Sequence, residues 1–127
     1  MDRINLKVKL YLENNQDKFM GIGVLWLLQK VSSCGSLRAA AAELGISYSK
    51  AFRMVENLEV SLGVTVLERH RGGMQRTGAS LTPFGQAFIL LYDDFQKKCK
   101  TLMEEPFEKF SKELSMLVSK HSQDRIS

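Results

Sequence analysis

The sequence has few of the residues that build disulfide-rich or metal-binding proteins. It contains two cysteines, two histidines and two prolines among 127 residues. Cys34 and Cys99 are far apart and fit no CxxC or zinc-ligand spacing, and neither His70 nor His121 has a cysteine or carboxylate at ligand spacing. We therefore predict no metal site, no cofactor and thiols that stay reduced.

Long apolar runs are also missing. The opening residues MDRINLKVKLYLENN lack the apolar stretch of a signal peptide, and no run reaches the roughly 20 apolar residues that cross a bilayer. The apolar cluster from Ile22 to Leu28 is instead typical of a core helix. These absences predict a cytoplasmic protein with no membrane partner.

The usual signatures of catalysis are absent as well. The sequence has no phosphate-binding loop and no nucleophile elbow. The carboxylates between positions 93 and 108 are interspersed with lysines, which is typical of a solvated helix face rather than of paired catalytic acids. We therefore predict that the protein is not an enzyme.

The charge balance points weakly to a polyanionic partner. The formal net charge is +4 and the sequence pI is near 9.2, values that many ordinary soluble proteins share. Hydrophobic residues make up 44% of the chain, enough for one domain or for a small domain with an appended element. The placement of the basic residues therefore matters more than their number.

Two short helices joined by a glycine turn are predicted between Gly35 and Leu62. Ser36 and Ser47 are good helix N-caps, and Gly45 stands where the chain must turn between the helices. Helical spacing places a set of apolar residues on one buried face of the second helix: Ala51, Val55, Leu58 and Leu62. This pattern predicts a helix-turn-helix.

The opposite face of the second helix is polar. It carries Ser49, Lys50, Arg53 and Asn57. These side chains can donate hydrogen bonds to base edges and phosphates in the major groove, as the second helix of a helix-turn-helix does. The sequence therefore predicts a DNA-reading helix.

The N-terminal residues alternate between apolar and polar. The period of two from Ile4 to Leu12 predicts a strand, the segment ENNQD predicts a turn, and Lys18 to Met20 can return as the second arm of a hairpin. A helix over about Ile22 to Ser32 follows. Its apolar residues cover more than one face, so we expect a central helix with Trp26 in the core.

A β-hairpin wing is predicted after the helix-turn-helix. A short strand at Val64 to Leu67 comes first. The glycine-rich segment HRGGMQRTGASLT follows and ends in a second short strand near Ser80 to Thr82. Arg71 and Arg76 in this segment can reach phosphates or the narrow minor groove. The alternative is a flexible surface loop with two solvated arginines.

Two helices are predicted at the C-terminus. Thr82 and Pro83 mark the start of a long helix, and a second helix is expected at about Phe107 to Ser119. Their apolar stripe is longer than a small domain can cover, so we expect part of it to pack on a second subunit. The predicted dimer-interface residues are Phe84, Phe88, Leu91, Phe95, Leu102, Phe107, Phe110 and Leu114.

These patterns predict a mainly α fold with a small amount of β structure. Residues 1–82 form a winged helix-turn-helix domain with an N-terminal strand or hairpin. Residues 83–119 form a helical dimerisation element, and residues 120–127 form a polar, frayed tail.

Four separated motifs resemble the N-terminal DNA-binding domain of the ModE family of molybdate-responsive regulators, a relative of the LysR-type winged helix. They are FMGIG, GSLRAAAAELGISYSKAF, VLERHRGG and LTPFGQAFILLYDDF, and the resemblance extends over about Lys18 to Phe95. It implies a winged helix-turn-helix that dimerises through its terminal helix and recognises a roughly palindromic operator in double-stranded DNA.

The resemblance also implies roles for individual residues. The recognition helix corresponds to Ser47 through Asn57, with base contacts expected from Ser47, Tyr48, Ser49, Lys50 and Arg53. Phosphate contacts are expected from Arg38, Arg69, Arg71 and Arg76, and Thr82 is expected to cap its helix, to touch phosphate, or to do both. Tyr48 and Phe52 also have a packing interpretation, because both project toward the Val55 side of the helix.

The C-terminal segment departs from the family pattern. Full-length ModE carries molybdate-binding domains after its DNA-binding region, and residues 106–127 are too short to form one, so direct molybdate binding is not expected. Two further hypotheses are a winged-helix module that docks on a protein and an architectural DNA binder without sequence preference. Basic residues that converge on one surface with the recognition helix would favour DNA.

Overall fold

The computed structural model of the protein describes the backbone of residues 3–72 and 76–126 and the side chains of residues 3–70 and 78–122. These residues form two compact units, Lys9–Asp94 and the described part of Met1–Val8 with Phe95–Ser127. The elements are β1 (Leu12–Asn14), β2 (Asp17–Met20), α1 (Ile22–Cys34), α2 (Leu37–Leu44), α3 (Tyr48–Leu62), β3 (Leu67–Gly72), β4 (Arg76–Leu81), α4 (Pro83–Leu102) and α5 (Glu104–Ile126). Both sheets are antiparallel hairpins, which confirms the predicted mainly α class with small β elements.

The core of the Lys9–Asp94 unit lies between α1, α2, α3 and the base of the β3–β4 hairpin. Leu28 and Val31 of α1, Val55 and Leu58 of α3, and Val66 before β3 are all fully or almost fully buried. Small residues on α2 and α3, Ala40, Ala41 and Ala51, are also buried, and alanine lets helix backbones approach closely. The predicted buried face of α3 is thereby confirmed.

Trp26 does not lie in this core, and the prediction that it does is wrong. Its side chain is 52% exposed, while Leu25, Leu27 and Leu28 of the same helix are buried. Successive helical residues point about 100° apart, so a run of apolar residues longer than one face must leave some of them outside. The apolar run predicts where α1 lies in the sequence, but not which side of the helix faces the core.

The N-terminal hairpin is shorter than predicted. β1 begins at Leu12, and residues 3–11 belong to neither sheet, so the predicted strand over Ile4 to Leu12 is wrong for most of its length. The turn is as expected, with Asn15 and Gln16 at φ 53° and 72°, the left-handed pair of a tight hairpin turn. Because β2 has four residues, it offers no backbone partner to the segment before β1.

Tyr92 of α4 holds the chain just before β1. Its hydroxyl donates a hydrogen bond of 2.9 Å to the carbonyl oxygen of Leu10. Burial raises the pKa of Tyr92 above its ordinary value, with smaller contributions from Tyr11 and Asp93. The hydroxyl therefore remains protonated at neutral pH and available as a donor.

The start of α4 is as predicted, with Thr82 as its cap. The Thr82 hydroxyl accepts from the Gly85 N–H and donates to the Thr65 carbonyl, both at 2.9 Å, and the residue is 7% exposed. The single hydroxyl proton of Thr82 is donated to the Thr65 carbonyl and is not available to a phosphate oxygen, so the structure favours the capping alternative.

The first part of α4 belongs to the winged unit. Phe88 and Ile89 pack against its core and Tyr92 is buried, and the unit ends at Asp94. The predicted boundary at residue 82 is therefore displaced into the helix. A sequence pattern marks where a helix begins but not which neighbours its first turns pack against.

Helix α5 is longer than predicted at both ends. It starts at Glu104 rather than Phe107, with Pro106 in its first turn, where a missing N–H removes no intrahelical bond. It continues to Ile126, so the predicted end at Ser119 and the frayed tail are wrong. The last segment contains no glycine or proline, and an existing helix extends readily through such residues.

Gly85 provides a direct test of how α4 packs on the winged unit. A Cβ at this position would stand 2.5 Å from the carbonyl oxygen of Val66. We expect Gly85→Ala to lower the free energy of unfolding by about 1–3 kcal/mol, measured by urea denaturation, because helix and backbone must separate. Gly23→Ala is the control: its nearest neighbour is Met54 Cε at 4.0 Å, and we expect no loss of stability. An equal free energy of unfolding for the two variants would contradict the close contact between α4 and the backbone of Val66.

Candidate nucleic-acid interface

The helix-turn-helix is fixed by two serine caps and one left-handed glycine. Ser36 Oγ accepts from the Ala39 N–H and Ser47 Oγ accepts from the Lys50 N–H, each at 3.0 Å. Gly45 ends α2 at φ 71°, a conformation that other residues rarely adopt. The caps and the turn predicted from the sequence are confirmed. They set the angle at which α3 leaves α2.

The outer face of α3 is polar and open to solvent. Ser49, Lys50 and Arg53 are all exposed. Lys50 and Arg53 line one shallow groove along the helix, together with Met54, Glu56, Asn57 and Val60. The structure therefore places the central base-reading candidates side by side where a DNA groove could approach.

The other base-reading candidates have additional structural roles. The Asn57 side-chain amide donates to the Lys18 carbonyl at 2.9 Å, which ties α3 to β2. Ser47 caps α3, and the Tyr48 ring is partly buried. Base contacts from these residues remain predictions, and their intramolecular bonds would have to be kept or exchanged on binding.

Two aromatic side chains of α3 lie between two arginines that come from other elements. The Arg38 guanidinium carbon lies 4.3 Å from the Tyr48 ring centroid, and the Arg69 guanidinium carbon lies 5.2 Å from the Phe52 centroid. The two rings are 6.2 Å apart at an interplanar angle of 45°. We call these four residues the arginine–aromatic ladder. It joins α2, α3 and β3.

A small cleft lies beside the ladder. Its volume is about 200 Å³, and its lining comprises Leu37, Arg38, Tyr48, Arg69, His70, Gly78 and Ala79. His70 Nε2 lies 2.7 Å from Ser80 Oγ across the hairpin. The cleft thus brings cationic side chains from α2 and β3 against the backbone of β4.

Neither Phe52 nor His70 is among the site residues predicted from the sequence. The four-residue spacing of Tyr48 and Phe52 on one helix indicates that the rings are neighbours. The sequence holds no comparable signal for the two arginines that stack on them, since Arg38 and Arg69 come from other elements.

The predicted wing is confirmed as the hairpin of β3 and β4, with Leu67 opposite Leu81 in its register. β3 begins at Leu67 rather than Val64. The backbone of the predicted contacts Arg71 and Arg76 lies in the two strands, while their side chains are outside the described residues.

The wing is anchored to the helices at its base. The Ala79 N–H donates to the carbonyl of Gly35, the residue that ends α1, at 2.8 Å. Glu59 Oε2 of α3 accepts from the N–H groups of Val66 and Leu67 at 2.7 and 3.2 Å. The position of β3, which carries Arg69, is therefore fixed relative to α3, which carries Lys50 and Arg53.

The residues predicted to form a dimer interface fall into two groups. Leu91, Phe95 and Leu102 of α4 and Phe110 of α5 are largely exposed, with Leu91 at 70%. Phe88 packs on the core of the winged unit and stacks with Phe84 at 5.9 Å, while Phe107 and Leu114 are partly buried. Phe88 therefore packs against the core of its own chain, and the contacts of these residues with a second subunit stay a prediction.

Metal-ligand clusters and membrane-spanning helices are both absent from the part of the chain that the structure describes. No group of three or more histidine, cysteine, aspartate or glutamate residues there could hold a metal ion. No helix among those residues is both long enough and apolar enough to span a membrane.

The family model described as bacterial regulatory helix-turn-helix protein, lysR family, matches residues 23–86. Transcriptional regulator ModE of Haemophilus influenzae is 29% identical over 89 residues, which cover 70% of this chain and 35% of the relative. The DNA-binding transcriptional dual regulator ModE of Escherichia coli K12 is 32% identical over 87 residues, covering 68% and 33%. The chain spans about a third of the length of these relatives.

Solved structures with a similar fold include DNA complexes. The crystal structure of the CbnR_DBD–DNA complex superposes with a TM-score of 0.57 at 27% identity, covering 71% of this chain and 98% of that chain. The BenM_DBD/benA site 1 DNA complex has a TM-score of 0.52 at 25% identity, covering 70% and 94%. In both cases the similar structure is that of a DNA complex.

Proposed function

The chain belongs to the LysR family of bacterial regulatory helix-turn-helix proteins, and we propose that this DNA-binding transcriptional regulator reads a specific, roughly palindromic operator as a ModE-like homodimer. The observation that carries the proposal is that basic residues of α2, α3 and β3 either project from the exposed face of α3 or stack on its aromatic side chains. Lys50 and Arg53 share a groove on α3, and the ladder holds Arg38 and Arg69 along the edge of the same helix. Scattered charge would instead have favoured a protein-docking module.

Two kinds of contact are expected on this surface. Lys50 and Arg53 project from the exposed face of α3, so they are assigned to base edges in the major groove. Arg38 and Arg69 flank that helix from α2 and β3, so they are assigned to phosphates. Arg71 and Arg76 of the wing are proposed as further phosphate or minor-groove contacts.

The homodimer is proposed from the exposed apolar residues of α4 and α5. Leu90 and Leu91 are each 70% exposed and Leu102 is 76% exposed. Tyr92 and Gln96 of the same helix are buried. A second copy is the proposed occupant, because a two-fold interface is formed by the same apolar patch on both copies. The two chains of the dimer would then present their two α3 helices to successive major grooves.

The two kinds of contact predict different effects of mutation on DNA binding. Lys50→Ala and Arg53→Ala should each cost about 1–3 kcal/mol on the preferred site and change the preferred bases. Arg69→Ala should weaken binding to every sequence and lower the slope of log K against log salt by about one. Fluorescence anisotropy with competitor DNA, repeated across salt concentrations, measures both effects.

The matched control is Lys112→Ala, which removes one exposed positive charge from α5. It should leave specificity and salt slope close to those of the wild type. Failure of the wild-type chain to prefer any sequence, with no loss on Lys50→Ala or Arg53→Ala, would contradict the proposal. Strong salt dependence without sequence preference would indicate an architectural binder.

A further inference from the structure

We propose that Tyr48 and Phe52 are positioning residues, which hold Arg38 and Arg69 in place for DNA phosphates and do not themselves read bases. The inference rests on the proposed function, because it concerns how the DNA surface is prepared. It also gives Tyr48 a different role from the base contact that its place on the recognition helix predicts.

The geometry places each ring between two partners. Tyr48 has the Arg38 guanidinium at 4.3 Å on one side and the Phe52 ring at 6.2 Å on another, and Phe52 has Arg69 at 5.2 Å. Both guanidinium distances lie within the range in which a cation is attracted to a ring face. The rings therefore connect an arginine of α2 to an arginine of β3 through the first turns of α3.

The chemistry of stacking leaves the arginines free to bind. A guanidinium that lies over a ring uses its π face, while its N–H donors point outward in the plane and stay available for phosphate oxygens. A stacked side chain also has less conformational freedom to lose when DNA binds. The ladder thus leaves the arginine N–H donors available for phosphate and lowers the conformational-entropy cost of binding DNA.

Phe52 is informative because it is 37% exposed on a helix that faces solvent with polar residues. Phenylalanine has no hydrogen-bonding group, so its direct contribution to base reading is limited to apolar contact with a thymine methyl group. A role as a platform for Arg69 accounts for its position through the contact that the structure shows. The cleft beside Tyr48, lined by both arginines, is where phosphate oxygens would approach.

Double-mutant cycles test the inference on the full chain. Phe52→Leu should weaken binding to all sequences about twofold to fivefold, the range that an exposed cation–π contact supports. Arg69→Ala should then cost about twofold to fivefold less in the Phe52→Leu background than in the wild type, because the ring acts through the arginine. Tyr48→Leu and Arg38→Ala should be coupled in the same way. Arg53→Ala, outside the ladder, is the control and should be additive with Phe52→Leu.

Conservative variants separate positioning from base reading and from folding. Tyr48→Phe and Phe52→Tyr keep the rings and should bind with wild-type affinity and sequence preference. In the DNA-free protein, ring currents should shift the NMR signals of the Arg38 and Arg69 side-chain N–H groups, and Tyr48→Leu or Phe52→Leu should remove the shift of the arginine that has lost its ring. This readout does not require the variant to bind DNA.

Additive cycles would overturn the inference, as would a Tyr48→Phe variant that loses affinity and relaxes preference at one base pair. Unshifted arginine signals in the free wild-type protein would overturn it as well. If the wild type binds DNA selectively and the cycles are additive, only the ladder inference fails. If the wild type binds no DNA, the proposed function fails and the inference falls with it.

Discussion

Replacement of Leu91 by glutamate is expected to convert the proposed homodimer into a monomer and to weaken operator binding by at least about 100-fold. Leu91 is 70% exposed on α4, so an isolated chain should tolerate the change. Burial of a leucine side chain contributes about 1.5–3 kcal/mol, and a two-fold interface contains the residue twice. Glutamate would in addition bring unpaired charge to an apolar contact.

Sedimentation velocity across a range of protein concentrations measures the oligomeric state, and anisotropy with operator DNA measures the affinity. Gln86→Glu is the control for oligomeric state, since it adds the same charge at an exposed polar position of the same helix. A Leu91→Glu protein that remains dimeric and binds DNA with wild-type affinity would place the interface elsewhere.

Glu59→Ala is expected to lower the free energy of unfolding by about 2–5 kcal/mol, because about 1–3 kcal/mol is lost for each buried donor left without a partner. One carboxylate oxygen of Glu59 accepts from the N–H groups of both Val66 and Leu67. Val66 is fully buried, so water cannot replace the bond to it without opening the base of the wing.

Urea denaturation measures the effect, with Glu56→Ala as the control on the exposed face of the same helix. The control should change stability by no more than about 0.5 kcal/mol. Glu59→Gln keeps one acceptor oxygen and should fall between alanine and the wild type. Equal stability of the Glu59→Ala and Glu56→Ala proteins would show that the wing does not depend on this carboxylate.

The parts of the fold that could be predicted from the sequence are those set by local interactions. Ser36 and Ser47 cap helices within three residues of themselves, and Gly45 turns the chain by its own backbone conformation. The buried face of α3 follows from helical spacing alone. Each of these signals lies in a few consecutive residues, so no knowledge of the tertiary fold was needed.

Two of the incorrect predictions depended on partners that are distant in sequence. The alternation from Ile4 to Leu12 indicates a strand only where another strand offers a free edge, and β2 is too short to do so. The exposure of Trp26 depends on which side of α1 meets α2 and α3. The length of α5 is a separate case, because polar residues without apolar periodicity can still extend a helix that has already formed.

The candidate site shows the same limit. Charge and helical spacing located Lys50 and Arg53 on an exposed face. The stacking of Arg38 on Tyr48 and of Arg69 on Phe52 joins residues from different elements and could not be predicted. Likewise, the Asn57 bond to the Lys18 carbonyl links α3 to a hairpin far away in sequence. The sequence therefore predicts the exposed polar face of α3, but not the contacts that hold the neighbouring side chains in place.

Selection of bound sequences from a random pool of double-stranded DNA tests the central claim most directly. The account predicts enrichment of one motif with two-fold symmetry, whose half-sites are centred about one helical turn or a multiple of it apart. Lys50→Ala or Arg53→Ala should change the enriched bases, and Arg69→Ala should not. A pool that stays random after selection, or a motif unaffected by any change on α3, would contradict the account.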